Sequence, residues 1–457
     1  MTENKKIFLR WWLVAALIYL AFSGAAVWFY GADFLMPAND DSAHHIKLAE
    51  NLVKYKTFSL DGLYSAEEPR PPLKPTNFLA PGYAFWLVLI YIFFKSFIPA
   101  IFIGAAIFAI SIPLTYFLAK EITAGEKIAF WSALVFMVEP LSIYHSGFLL
   151  TEQIFVPLFL AGAYWFIKYF KNNDLKILAV SLVVFSFATL VRPIIFYFLP
   201  MLILAVILKE LKISFKRALK FGLISLVLAY SITGLWLIRN KIVLNTWQIS
   251  GNQGAILAAH YDVLSRDLKK QANYIEPAFP NVGGLDTFSV EYNKIVGEFA
   301  LKQILNNKLD YLKIYSGYTL FFFIRSGYDN IVSQLTGLPA LNGNLRTALT
   351  LKLLNGDIFG AVLLFFQAPA TIWITFVGAF FWLAASISAA IGFFDLARKK
   401  FGINNFLIFY CGFLIIYFAL VSSIFSVARY RLPVNPFIFI FAVSGVYFLK
   451  NKLRQWI

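Results

Sequence analysis

Predominantly apolar runs of about 20 residues, the length a helix needs to cross the hydrocarbon of a bilayer, recur along nearly the whole of this chain. No other feature limits its fold as much. Crossings are expected at about residues 8–30, 127–147, 151–168, 177–191, 193–208, 218–238, 403–425 and 431–449. Two further stretches are ambiguous: 83–119, interrupted by Lys95 and Pro99, reads as one crossing with a re-entrant piece or as two short ones, and 357–394 reads as more than one. The total is about eleven to thirteen helices. Of 457 residues 60% are hydrophobic and 14% charged, against about 25% charged in an ordinary soluble protein. An all-α integral membrane protein is expected, with no soluble domain of its own.

The net charge of +16 would suggest nucleic acid if the cations were spread over a surface. They are not; they collect in short loops between apolar runs. Lys5, Lys6 and Arg10 precede the first run, Lys168, Lys171 and Lys176 fill one loop, Lys209, Lys212, Lys216, Arg217 and Lys220 another, and Arg398, Lys399 and Lys400 a third. This is the positive-inside pattern of a membrane protein, and no nucleic-acid partner is expected. With Lys450, Lys452 and Arg454 on the same side, both termini are expected in the cytoplasm, and the first run is read as a retained helix. The single cysteine, Cys411, lies inside an apolar run, so there is neither a disulfide framework nor a paired-cysteine metal motif.

By the same rule, the polar segment after the first crossing faces outward. It begins with Asp40-Asp41-Ser42-Ala43-His44-His45, two adjacent carboxylates and two of the four histidines. At helical spacing Asp41 and His45 share a face, and Ile46, Ala49 and Val53 form an apolar stripe suited to lying along a membrane surface. The bland alternative is a helix cap, for which Asp is among the preferred residues. One cap, however, accounts for one Asp and not for both. A proline-rich stretch, 61–81, follows and excludes helix. Glu152, Arg192 and Arg239 all fall near the same outer face as Asp41, and so does Arg431 between the last two crossings. Arginines that end spans often only snorkel to the interface. Yet a set of outward arginines facing carboxylates suits an anionic lipid headgroup: guanidinium binds phosphate bidentately, and a carboxylate within reach takes a proton from an attacking group. Residues 240–310 form the longest polar segment, an external loop with an amphipathic helix expected near 290–306, and the aromatic stretch 311–325 suits the interface.

At these residues the chain resembles the GT-C glycosyltransferases, in particular the dolichyl-phosphate-mannose protein mannosyltransferases and the ArnT-like aminoarabinose lipid A transferases (glycosyltransferase 39 group). Asp41-Ser42 with His45, Ala49 and Leu52 is similar to the family's first external-loop motif, with His45 where Tyr is usual. Ala80-Pro81-Gly82-Tyr83, Thr151-Glu152, Val191-Arg192-Pro193, Leu235-Trp236-Leu237-Ile238-Arg239-Asn240 and Ala428-Arg429-Tyr430-Arg431-Leu432-Pro433 follow in the family's order. Leu235 stands where the family has Pro.

The resemblance implies a GT-C core over 1–240 with its first external loop at 31–80, an external loop with interfacial helices over 241–356, and C-terminal crossings over 357–457. It implies inverting transfer of a sugar from a polyprenyl-phosphate donor to a lipid, glycan or protein acceptor at the outer face of a plasma membrane. Asp41, or Asp40 in its place, would be the base and Glu152 would support it. Arg239, Arg192 and Arg431 would hold the donor phosphate, and His44, His45 and Tyr83 would lie on the acceptor side. No cofactor is implied; the four histidines with Asp41 and Glu152 match no tight zinc spacing. The competing readings are a flippase for the same lipid-linked sugars, for which the inverted repeats usual in transporters are not evident, and an O-antigen-ligase-like polymer transferase.

Overall fold

The computed structural model describes residues 2–37, 41–65, 67–270, 274–338, 352, 357–366, 371–399, 403–422, 424 and 428–456. Asp40, named above as the alternative base, and Lys400 lie outside the described residues. Among the described residues all regular structure is helical. In lipid every backbone polar group must be paired, and a helix pairs them all within one segment.

The helices are α1 (Glu3–Tyr30), α2 (Asp41–Tyr55), α3 (Gly82–Phe94), α4 (Ile98–Phe108), α5 (Ser111–Thr123), α6 (Glu126–Val138), α7 (Pro140–Gly147), α8 (Glu152–Asn172), α9 (Leu175–Val191), α10 (Leu199–Leu211), α11 (Phe215–Leu244), α12 (Gln253–Leu268), α13 (Val290–Asn306), α14 (Lys308–Ile324), α15 (Tyr328–Thr336), α16 (Ile358–Phe366), α17 (Thr371–Lys399), α18 (Ile403–Ser422) and α19 (Asn435–Trp456). Eight described segments are long and apolar enough to cross a membrane, which makes this a multi-pass membrane protein. The bent pair α6–α7 would be a ninth, and α3 and α9 are shorter apolar helices. Counted together these reach eleven, the lower end of the expected range. The ambiguous stretch 83–119 divides into the short α3 and one crossing over Ile98–Thr123. The expected amphipathic helix is α13, capped by the Ser289 hydroxyl, which accepts from Tyr292 N.

The chain forms two compact units, Met1–Phe117 with Ser146–Tyr315, and Leu118–His145 with Ser316–Ile457. In the first, α8 packs on α9, α9 and α10 on α11, α4 on α1 and α8, α2 on α3, and α12 on α13. In the second, α19 packs on α6 and α17, and α17 also on α15. There Gly445 N lies 2.6 Å from where a Cβ on Gly392 would stand, the close backbone approach that small residues allow between membrane helices.

The buried face of α2 differs from the apolar stripe named above. Its buried face is Ser42, His45, Leu48, Ala49 and Asn51, whereas Ile46 and Val53 are only half-buried. The reason is protein cover. Leu48 sits in a core cluster with Phe58, Leu60, Ala84, Leu190, Trp236 and Ile249, so α2 is held against α3 and the 58–60 segment.

Candidate functional site

The site of the first unit is assembled from the ends of four helices. At the start of α2 the Ser42 hydroxyl donates to Leu149 O (2.9 Å), and Leu149 N donates to Leu35 O (2.9 Å), which ties the segments on both sides of Asp41 to the residues just before α8. Glu152 opens α8, where a carboxylate suits the exposed N–H groups of the first turn. α9 ends at Val191 because Pro193 disfavours helical backbone at Arg192, whose extended conformation (φ −139°, ψ 115°) turns the chain out of the helix. Arg192 Nη1 then donates to Glu152 Oε1 at 2.8 Å. The Glu152 side chain is fully buried and that of Arg192 is 14% exposed.

Gly82 explains how Tyr83 reaches the same place. A Cβ there would stand 2.7 Å from the Leu190 carbonyl carbon, so only glycine lets the first turn of α3 lie against the end of α9. Tyr83 donates to Gln153 Oε1 (3.2 Å), and Gln153 Nε2 donates to Ser146 O (2.7 Å) and Ile101 O (3.2 Å). His45 stands edge-on to the Tyr83 ring at 5.0 Å. Burial pushes the His45 imidazole down to about 4, against the opposing pull of the Asp41 carboxylate, with His44, Glu152 and Arg192 also acting on it. The imidazole is therefore neutral near pH 7, and its Nδ1 is buried without a hydrogen-bond partner.

Arg239 lies in another part of the same unit. It donates to Thr76 O (3.0 Å) and Asn240 Oδ1 (2.9 Å), with its guanidinium 4.7 Å from the centre of the Trp236 ring. His44, one turn from Asp41, faces Phe78 (6.1 Å), Phe288 (5.7 Å) and Tyr64, whose hydroxyl is 3.4 Å from His44 Nε2. Thus Asp41, His45, Tyr83, Glu152 and Arg192 belong to one neighbourhood, while His44 and Arg239 lead to adjoining loops.

Arg431 belongs to the second unit and is fully buried. Its guanidinium lies 3.5 Å over the Trp382 ring and donates to Arg325 O (2.8 Å), Asn435 Oδ1 (3.2 Å) and Phe322 O. That geometry is a strap across three chain segments, not an open phosphate ligand. In the same unit Glu139, just before Pro140 at the 55° bend between α6 and α7, accepts from Tyr328 OH (3.0 Å) and Ser142 N (2.9 Å).

Among the described residues no three His, Cys, Asp or Glu side chains come close enough to share a metal ion. Two features escaped the sequence reading. Gln153 joins Tyr83 to two backbone carbonyls, and its only signal was its place directly after Glu152. Phe288, more than 200 residues from His44, had none.

Residues 78–236 match the family model of the dolichyl-phosphate-mannose-protein mannosyltransferases. No curated protein sequence matches the chain. Among solved structures, the crystal structure of ArnT from Cupriavidus metallidurans bound to undecaprenyl phosphate is similar over 94% of this chain and 76% of its own, at 14% identity and a TM-score of 0.37. The roles of single side chains therefore rest on this chain's own geometry. Over residues 78–236, the stretch that carries Tyr83, Glu152, Gln153 and Arg192, the chain is similar to the dolichyl-phosphate-mannose-protein mannosyltransferase family.

Proposed function

We propose that this protein is a GT-C membrane glycosyltransferase that moves a sugar from a polyprenyl-phosphate donor to an acceptor at the outer face of a prokaryotic plasma membrane. The observation that carries the reading is the neighbourhood of Asp41, His45, Glu152 and Arg192 at helix ends, of which Glu152 and Arg192 lie inside the family-matched segment. The cations of the intervening loops fall on the opposite side by the positive-inside rule.

In the proposed reaction an acceptor hydroxyl or amine attacks the anomeric carbon of the donor sugar. The Asp41 carboxylate takes its proton, the bond from that carbon to the phosphate oxygen breaks, and polyprenyl phosphate departs. A single displacement inverts the anomeric configuration. The leaving phosphate needs a fixed cation, and Arg239, whose charge no described carboxylate pairs, meets that need. Arg192 is already neutralised by Glu152, so the pair holds the floor under His45 and Asp41 rather than binding the donor.

The test is transfer of radiolabelled sugar from polyprenyl-phosphate donors in vesicles, comparing the intact protein with Asp41→Asn at matched expression. Removing the base should lower transfer at least ~100-fold, with donor binding retained. Full activity in the variant would sink Asp41 as the base. Labelled lipid that crosses the bilayer with no transfer by either protein would replace the enzyme with a flippase.

A further inference from the structure

The loops beyond His44 and Arg239 enclose a half-open cavity of about 370 Å³ that the proposed chemistry leaves unused. It is at the small end of the ~300–1,000 Å³ usual for ligand sites. Its walls come from the first external loop and from the turn that leads into α13, and they include Asp61, Lys74, Thr76, Asp286, Phe288 and Glu291. Two contacts connect it to the site. Thr76 accepts from Arg239 through its carbonyl and donates through its hydroxyl to Phe288 O (3.2 Å). The Phe288 ring belongs to the aromatic group of His44, Tyr64 and Phe78, with centroid distances of 5.7, 6.1 and 4.9 Å.

We propose that this cavity and its aromatic wall are a subsite for an uncharged saccharide, so that the acceptor of the transferred sugar is itself a glycan. The inference rests on the glycosyl-transfer reading for its place in the reaction, but the binding it asserts does not. Three carboxylates against one lysine repel a phosphate or another anion, which excludes the donor headgroup from this cavity. A polyol, by contrast, offers many O–H donors, and hydrogen bonds to ionised carboxylates are the strong kind. Asp61 accepts one backbone bond from Lys74 N (2.6 Å) and Asp286 one from Phe288 N (2.9 Å), so each keeps a second oxygen for a ligand. The C–H face of a pyranose is slightly positive and complements the negative face of an aromatic ring, which Phe288 supplies in the cavity wall, with the exposed Tyr64 stacked beside it. A peptide acceptor would want backbone partners, yet the loop N–H groups of Lys74 and Phe288 are already taken by the carboxylates of the wall.

The test is direct binding, followed by saturation-transfer NMR, of neutral hexose trisaccharides to the full chain in lipid nanodiscs, in parallel with the same glycans as lipid-anchored headgroups and with Ser/Thr peptides. Trisaccharide binding that weakens about tenfold in Phe288→Ala and severalfold in Glu291→Gln supports the subsite. Glu291 is exposed, so that second variant is expected to fold whatever happens to the first. Binding of the lipid-anchored glycan alone, with the same loss in both variants, keeps the saccharide and identifies its source as a glycolipid. Peptide binding without glycan binding overturns the proposal, as does equal glycan binding by all three proteins. Because binding needs no turnover, glycan binding with no sugar transfer would end the enzyme reading and leave the subsite, whereas transfer without glycan binding would do the reverse.

Discussion

Neutralising one member of the Glu152–Arg192 pair tests the electrostatic design of the site. The two charges are 2.8 Å apart at nearest atoms, with Glu152 fully buried and Arg192 14% exposed. At an effective dielectric constant of about 20, charges roughly 4 Å apart attract by about 4 kcal/mol, and breaking a buried pair from one side costs ~3–5 kcal/mol because the partner stays uncompensated. Glu152→Gln leaves Arg192, which still touches solvent, and should cost about 3 kcal/mol. Arg192→Gln strands a carboxylate with no path to water and should cost about 4 kcal/mol. The double variant removes both charges and should cost no more than the worse single change, so the coupling is about 3 kcal/mol. Denaturant unfolding of the full chain in mixed micelles, read from its 11 tryptophans, measures all four proteins. Additive single effects, with coupling under about 0.5 kcal/mol, would refute a desolvated pair and return Arg192 to the list of phosphate ligands.

Three further changes have defined outcomes. Gly82→Ala sets a methyl group against the backbone of Leu190 and should destabilise by about 1–3 kcal/mol, seen as a lower unfolding midpoint; an unchanged midpoint would mean that α3 can retreat from α9 freely. His45 is held neutral with its pKa lowered from 6.5 to about 4, and His260 likewise by burial. Between those values the unfolded chain binds more protons, so the stability from each is complete above pH 6.5 and falls, by up to about 3 kcal/mol, as pH drops toward 4. His45→Gln should remove about half of this acid-linked loss; an unaltered pH profile of unfolding would contradict the burial argument. Arg431→Gln leaves the carbonyls of Phe322 and Arg325 without their donor and should cost about 2–5 kcal/mol, lowering the unfolding midpoint but leaving donor KM within about twofold in the protein that folds. A specific rise in donor KM at unchanged stability would make Arg431 a phosphate ligand after all.

What sequence order alone determined is the membrane class, the helical content and the positions of most crossings. These follow from length and hydropathy, which are additive along the chain and need no partner. The exit of α9 at Arg192-Pro193 was likewise local, because proline restricts its own neighbourhood. Pairing was not local. That Arg192 is neutralised by Glu152 while Arg239, among the described residues, meets only uncharged acceptors depends on which helix ends lie side by side, and that adjacency turns on features such as Gly82 against the backbone of α9. Three arginines that read alike in sequence thereby became a buried ion-pair member, a cation beside a loop carbonyl, and a strap under Trp382. The aromatic wall joining His44 to Phe288 likewise exists only in the folded chain. Hydropathy selects what enters the membrane, but the partner of a charge is selected by distance in three dimensions.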